Sequence, residues 1–310
     1  MKIAIIGQQD FGKAVFDAFL ARGDEISGVF CAPEKEGARP DVLRVAAQEK
    51  GLRVFQFPSL KDSQARDTMR ALDVDIGVMA FVLQFAPQDF VKIPRHGTIQ
   101  FHPSLLPKYR GPSSINWPII KGETNTGLTI FRPNDGLDEG AVILQKATPV
   151  SADDTLGTVY FDRLFPMGVA AMLEAADLVV AGKHTETVQD ESQASYEGWC
   201  RAAEARVNWN NHVDYIHNLI RGCDPAPGAS TTLNGKSVQL FGSKKHLART
   251  FGAVKGKPGE ISAITATSLF IAAQGGQIEV AKLKSEDGKK ISAAEFIAVH
   301  GLVIGAAFGG

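Results

Sequence analysis

Over residues 1–150 the chain alternates short β-branched apolar runs with helix-patterned stretches, and few folds accept that rhythm. "KIAIIG" reads as a buried parallel strand, and "FGKAVFDAFLARG" as a helix closed by Gly23. "EISGVFCAP", "RVFQFP", "DIGVMAFVL", "GTIQFHPS", "TGLTIFRP" and "AVILQKATPV" follow as strands, with a helix around "DVLRVAAQEKG" among them. That order predicts an α/β fold with an open, mostly parallel, Rossmann-like sheet covered on both faces. A long helical pattern, "TLGTVYFDRLFPMGVAAMLEAADLVVAGK", closes the region, and Pro166 should kink or split it.

The pattern then changes. Residues 1–187 form one expected domain, 188–205 a polar linker, and 206–310 a smaller β-rich domain. In the last, "HVDYIHNLIRGC" reads as an amphipathic helix, with hairpin signals at Asn234–Gly235 and Gly275–Gly276. The final "GAAFGG" reads as loosely ordered. With a formal net charge of −1 in 310 residues, coating nucleic acid is a poor fit. No apolar run approaches the roughly 18 residues of a membrane span, so no membrane partner is expected. "MKIAIIGQQDFG" lacks the design of a signal peptide. Cys31, Cys200 and Cys223 offer neither a disulfide framework nor metal-ligand spacing, and a reducing, cytoplasmic home is the economical reading.

Gly7 to Lys13 spell G-x-x-x-x-G-K, but Ala14 stands where a phosphate loop needs Ser or Thr. Those glycines are better read as permitting a tight strand-to-helix turn. His102, directly after a strand in "QFHPSLLPKYRG", is a stronger candidate, because ligands gather at the carboxyl ends of parallel strands. Its ring can donate a proton or steady an oxyanion, although a buried structural histidine bonded to backbone is the plain alternative. Asp135 and Asp138 in "NDGLDEG" are either turn residues or a carboxylate that orients His102.

Together, "HPSLLPKYRG" and "NDGLDEG", with His102 and Asp138 36 residues apart, resemble the folate-dependent formyltransferases. That family includes methionyl-tRNA, glycinamide ribonucleotide and sugar N-formyltransferases. "PRHG", "INW", "LFP", "SYEG" and "VNW" extend the resemblance furthest to the amino-terminal hydrolase domain of 10-formyltetrahydrofolate dehydrogenase. "KPGEI" and "GKKISAAEF" resemble the OB-like β-barrel shared by that domain and methionyl-tRNA formyltransferase. The resemblance implies catalytic His102 and Asp138, with folate contacts from Gln84, Phe85 and Ala86 in "QFA". It implies 10-formyltetrahydrofolate as formyl donor and no metal. The formyltransferases carry Asn two residues before the histidine. This chain has Gln100, whose carboxamide either helps hold the oxyanion or stands by, and the similar hydrolase domain has an aliphatic residue there.

The implied reaction is attack on the N10-formyl carbon, by water to give formate or by an amine to give a formamide. Methionyl-tRNA formyltransferases typically carry a longer basic loop after the second strand. Here it is "CAPEKEGARPD", with Lys35 and Arg39 offset by Glu34, Glu36 and Asp41, poor equipment for phosphates. "SKKHLAR" and "KGK" leave some basic surface further on. Water or a small amine is therefore the favoured acceptor and methionyl-tRNA the runner-up. A sugar nucleotide or a catalytically idle folate-binding module comes after.

Overall fold

The computed structural model describes residues 1–250 and 252–309. In chain order the first elements are β1 (Lys2–Gly7), α1 (Gln9–Arg22), β2 (Glu25–Cys31), α2 (Val42–Glu49) and β3 (Val54–Gln56). Next come α3 (Ser63–Leu72), β4 (Ile76–Ala80), α4 (Gln88–Val91), β5 (Thr98–His102), α5 (Asn116–Ile120), β6 (Asn125–Phe131) and β7 (Val142–Pro149). After α6 (Leu156–Val159) and a π turn at Tyr160–Leu164 comes α7 (Phe165–Val180). The remainder is α8 (Val213–Gly222), β8 (Ala229–Leu233), β9 (Lys236–Leu247), β10 (Ile261–Ile264), β11 (Leu269–Ala273), β12 (Gly276–Ser285), β13 (Ile291–Ser292) and α9 (Ala293–His300).

The first sheet has the order β3-β2-β1-β4-β5-β6-β7. Its strands pair in parallel from β3 through β5, and β6 then runs antiparallel to β5. Every residue of β4 is buried, as a strand covered on both faces requires. One face packs on Phe16, Leu43 and Met172 from α1, α2 and α7; the other packs on Met69 and Phe90 from α3 and α4. Strand order reverses between β1 and β4, which marks their carboxyl ends as the place for a ligand. Gly7 sits at that point because a Cβ there would run into the Ala80 carbonyl.

The described chain groups into two compact units. One comprises Met1–Gly111, Gly127–Thr148 and Arg163–Tyr196; the other comprises Pro112–Thr126, Pro149–Asp162 and Glu197–Gly310. The second unit is built on an antiparallel sheet of order β10-β11-β12-β9-β8, with β13 beside β12. Its β8–β9 turn has both Asn234 and Gly235 at positive φ, the form an Asn-Gly hairpin takes. His217 and Arg221, one turn apart on α8, reach the carbonyls of Ala152, Ser151 and Asp154 at 3.0–3.1 Å.

Two sequence expectations need adjusting, and a third is met with a detail added. The strand read through "DIGVMAFVL" ends at Ala80, because Phe81 turns the chain away at φ +60. The helix around Pro166 is split as expected, though the break is a π turn with Pro166 in the first turn of α7. The terminal "GAAFGG" is not loose over its described part. Phe308 is 3% exposed, and the amides of Phe308 and Gly309 donate to the carbonyls of Gly259 and Thr232. Gly310 lies outside the described residues.

Candidate active site

His102 ends β5, and the period-2 alternation of a strand puts Gln100 on the same face. Between them Phe101 points to the opposite face, its ring 4.2 Å from that of Phe11. The loop after His102 is fixed from neighbouring strands. Thr129 Oγ1 donates to the Ser104 carbonyl at 2.7 Å and accepts the Leu106 amide at 3.1 Å. Gln145 Nε2 donates to the Leu106 carbonyl at 2.7 Å. This shape brings the Tyr109 carbonyl 2.9 Å from His102 Nε2. A carbonyl only accepts, so Nε2 carries the hydrogen.

Asp138 lies in the loop between β6 and β7, and its Oδ2 stands 3.5 Å from His102 Nδ1. Both side chains are buried. The same Oδ2 accepts the Gly111 amide at 2.9 Å. With Nε2 bearing its hydrogen toward Tyr109, Nδ1 is the ring nitrogen that faces the carboxylate. Asp138 has φ +56, a conformation costing a non-glycine residue on the order of 1 kcal/mol. Asp135 is exposed, so of the two aspartates in "NDGLDEG" only Asp138 meets the histidine.

A second layer holds that loop. Gln189 Nε2 donates to the carbonyls of Asp138 and Gly140, both at 2.8 Å. Its Oε1 accepts from Arg110 Nη2 at 2.8 Å and Nε at 3.2 Å, and Arg110 is bidentate to Glu191 at 2.6 and 2.9 Å. The Glu191 carboxylate raises the Arg110 pKa against the opposing effect of burial. Sequence reading missed Tyr109, Arg110, Gly111 and Gln189. No signal singled them out: Gln189 stands in the polar run "QDESQ", a pattern that also describes any solvated connector.

The loop after β4 carries the other predicted residues. Gln84 Nε2 donates to the carbonyls of Phe57 and Pro58 at 2.8 and 3.0 Å, so its amide ties down the loop after β3. Phe85 is 46% exposed, with Lys61 Nζ 4.8 Å from its ring centre, and Ala86 is buried. Phe81 and Leu83 are exposed on the same loop, giving this strand end an apolar lip. Gln100 is partly buried and pairs in register with Met79 and Phe131.

At the end of β1, the carboxylate of Asp41 occupies the start of α1. Its Oδ2 accepts the Gln9 amide at 2.8 Å while Oδ1 caps α2 through the Leu43 amide at 2.9 Å. Burial works to raise the Glu34 pKa, yet hydrogen bonds from the Asp41 amide, Gln56 and Arg44 hold it down at about 2. No group of three His, Cys, Asp or Glu able to hold a metal occurs among the described residues. Nor is any described helix long and apolar enough to cross a membrane.

Residues 1–175 match the model of the family described as formyl transferase, and residues 200–301 match the formyl transferase C-terminal domain. The chain is 37% identical over 308 residues to the mitochondrial 10-formyltetrahydrofolate dehydrogenase of Mus musculus, covering 96% of this chain and 33% of that protein. It thus spans about a third of the length of such relatives. It is 32% identical to the methionyl-tRNA formyltransferase of Syntrophus aciditrophicus (strain SB), covering 100% of this chain and 99% of that protein. Among solved structures, HypX from Aquifex aeolicus in complex with tetrahydrofolic acid superposes with a TM-score of 0.69 at 20% identity. That match covers 96% of this chain and 47% of HypX. The sugar 3N-formyl transferase WlaRD, crystallised in the presence of dTDP and 5-N-formyl-THF, gives 0.66 at 17% identity over 93% of this chain and 99% of its own. With both family models matched in order, and a full-length relative at 32% identity, the chain belongs to the formyl transferase family.

Proposed function

We propose that this protein removes the formyl group of 10-formyltetrahydrofolate, releasing tetrahydrofolate, with water or a small amine as acceptor. The observation that carries the reading is the buried pair of His102 and Asp138, 3.5 Å apart at a carboxyl strand end. A nucleophile attacks the formyl carbon, and the oxyanion so formed calls for hydrogen-bond donors. Gln100 lies on the strand face of His102. His102 can serve only by turning toward the oxyanion a ring N–H that here faces the Tyr109 carbonyl or Asp138. The carbon–nitrogen bond to N10 then breaks. The nucleophile gives up a proton to Asp138, and a proton returns to N10 of the departing tetrahydrofolate. The apolar lip of Leu83 and Phe85 suits the flat face of a pterin, with Gln84 and Ala86 shaping the loop. We assign the protein to the cytoplasm, on its three free cysteines and its folate substrate.

Methionyl-tRNA is the second reading, favoured by the relative that matches along its whole length. Against it stands the Ala32–Asp41 loop, where Glu34 and Asp41 are both engaged internally and only Lys35 and Arg39 are exposed cations. The test is purified protein with 10-formyltetrahydrofolate, with product analysis by mass spectrometry in three reactions: alone, with small amines, and with initiator methionyl-tRNA. Formate, or a formylated small amine, supports the first reading. Rapid formylation of tRNA alone establishes the second.

A further inference from the structure

We propose that Gln189 is the positioning residue that sets the Asp138 carboxylate against His102. The inference rests on the reading of Asp138 as a catalytic residue. Three observations carry it. Asp138 sits at φ +56, a conformation that costs a non-glycine residue on the order of 1 kcal/mol. The carbonyl of that same residue accepts Gln189 Nε2, which reaches across 51 positions of chain and also holds Gly140. Gln189 is itself 6% exposed, with two carbonyls on one side of its amide and the Arg110 guanidinium on the other. That arrangement admits a single orientation of the amide, with the nitrogen toward the carbonyls.

The consequence for the site is directional. The two hydrogen bonds from Nε2 fix the backbone on both sides of Glu139, and this aims Oδ2 at the Gly111 amide and at His102. Gln189 need not touch the substrate; its effect passes through Asp138. A shift on the order of 1 Å in a catalytic group is enough to cost about a hundredfold in rate, so a mis-set loop costs turnover while leaving the folate contacts in place.

Gln189→Glu isolates the effect. It preserves size and the acceptor facing Arg110 but removes the donor to both carbonyls. The Gly111 amide reports the carboxylate's placement directly, because its partner is Asp138 Oδ2. Residue-resolved hydrogen exchange should show that amide exchanging at least about tenfold faster in Gln189→Glu, while the amides of β1 and β4 keep their protection. Release of tetrahydrofolate from 10-formyltetrahydrofolate should fall roughly tenfold to a hundredfold in kcat, with KM within about twofold. Unchanged Gly111 exchange would overturn the proposal, whatever the activity. Loss of protection throughout the first unit would overturn it too, by showing a general structural role. Asp138→Ala in the same assay separates the two claims. If that variant turns over normally, the catalytic reading fails, and the Gly111 exchange still decides whether Gln189 places the carboxylate.

Discussion

His102 Nδ1 and Asp138 Oδ2 meet at 3.5 Å across 36 positions of chain, His102 from the end of β5 and Asp138 from the loop between β6 and β7. General acid–base partners of this kind typically contribute about 10²–10⁴-fold. His102→Ala and Asp138→Asn should each lower formyl release by that order, with circular dichroism and the melting curve showing a folded protein. His102→Ala also removes the hydrogen bond to the Tyr109 carbonyl, at a stability cost of about 1 kcal/mol. Near-normal turnover in either folded variant removes the pair from the mechanism.

Gln100 shares the strand face of His102, and its contribution is read by two substitutions. If its amide steadies the oxyanion, Gln100→Leu lowers kcat about tenfold, equivalent to about 1.4 kcal/mol, with folate affinity nearly unchanged. Gln100→Asn should favour transfer to amines over hydrolysis. Equal rates for all three proteins with both acceptors would make Gln100 a bystander.

The buried imidazole of His217 sets a lower pH limit on the second unit. Its Nδ1 faces the Ser243 hydroxyl at 3.0 Å and its Nε2 donates to the Ala152 carbonyl. Burial pushes its pKa below the ordinary 6.5; the Ala152 hydrogen bond opposes, Arg221 and Lys245 add to the lowering, and Asp153 works against it. The unfolded chain therefore takes up a proton that the fold resists. Stability from this group is complete above about 6.5 and declines as pH falls below it. Melting temperatures between about pH 7.5 and about pH 5.5 should fall less steeply for His217→Gln than for the parent. Identical slopes would show that His217 does not set this dependence.

Transfer RNA should bind weakly, with affinity lost steeply as salt is raised, because Lys35 and Arg39 are the exposed cations of a loop that also carries Glu34, Glu36 and Asp41. Filter binding across a salt series, with a formylation assay at physiological ionic strength, checks this. Tight binding with rapid formylation would promote methionyl-tRNA to the acceptor.

Much of the fold was legible because a doubly covered parallel sheet writes itself as uninterrupted apolar runs such as "KIAIIG" and "IGVMA". His102 was legible from its place after such a run. The partners were not. Tyr109 and Gly111 act through backbone groups, which any residue supplies, and Gln189 lies in a stretch whose polarity is that of a solvated connector. The same limit hid the approach of Cys200 Sγ to Cys223 Sγ, 3.8 Å apart in the core of the second unit, since their spacing matches no motif. Loop-mediated proximity leaves no periodic trace in sequence.

One carboxylate caps two helices: Asp41 closes the first turn of α2 and also holds the amide of Gln9 at the start of α1. The amino end of a 14-residue helix at a strand terminus is a natural seat for phosphate. Asp41 acts there as a tethered competitor, whose effective concentration, for so short a connection, is of millimolar order or above. Free phosphate compounds at ordinary cellular levels must compete with a ligand the chain supplies to itself. At this strand end the amide of Gln9 is already held by a carboxylate of the chain itself, and that one group joins the starts of two helices.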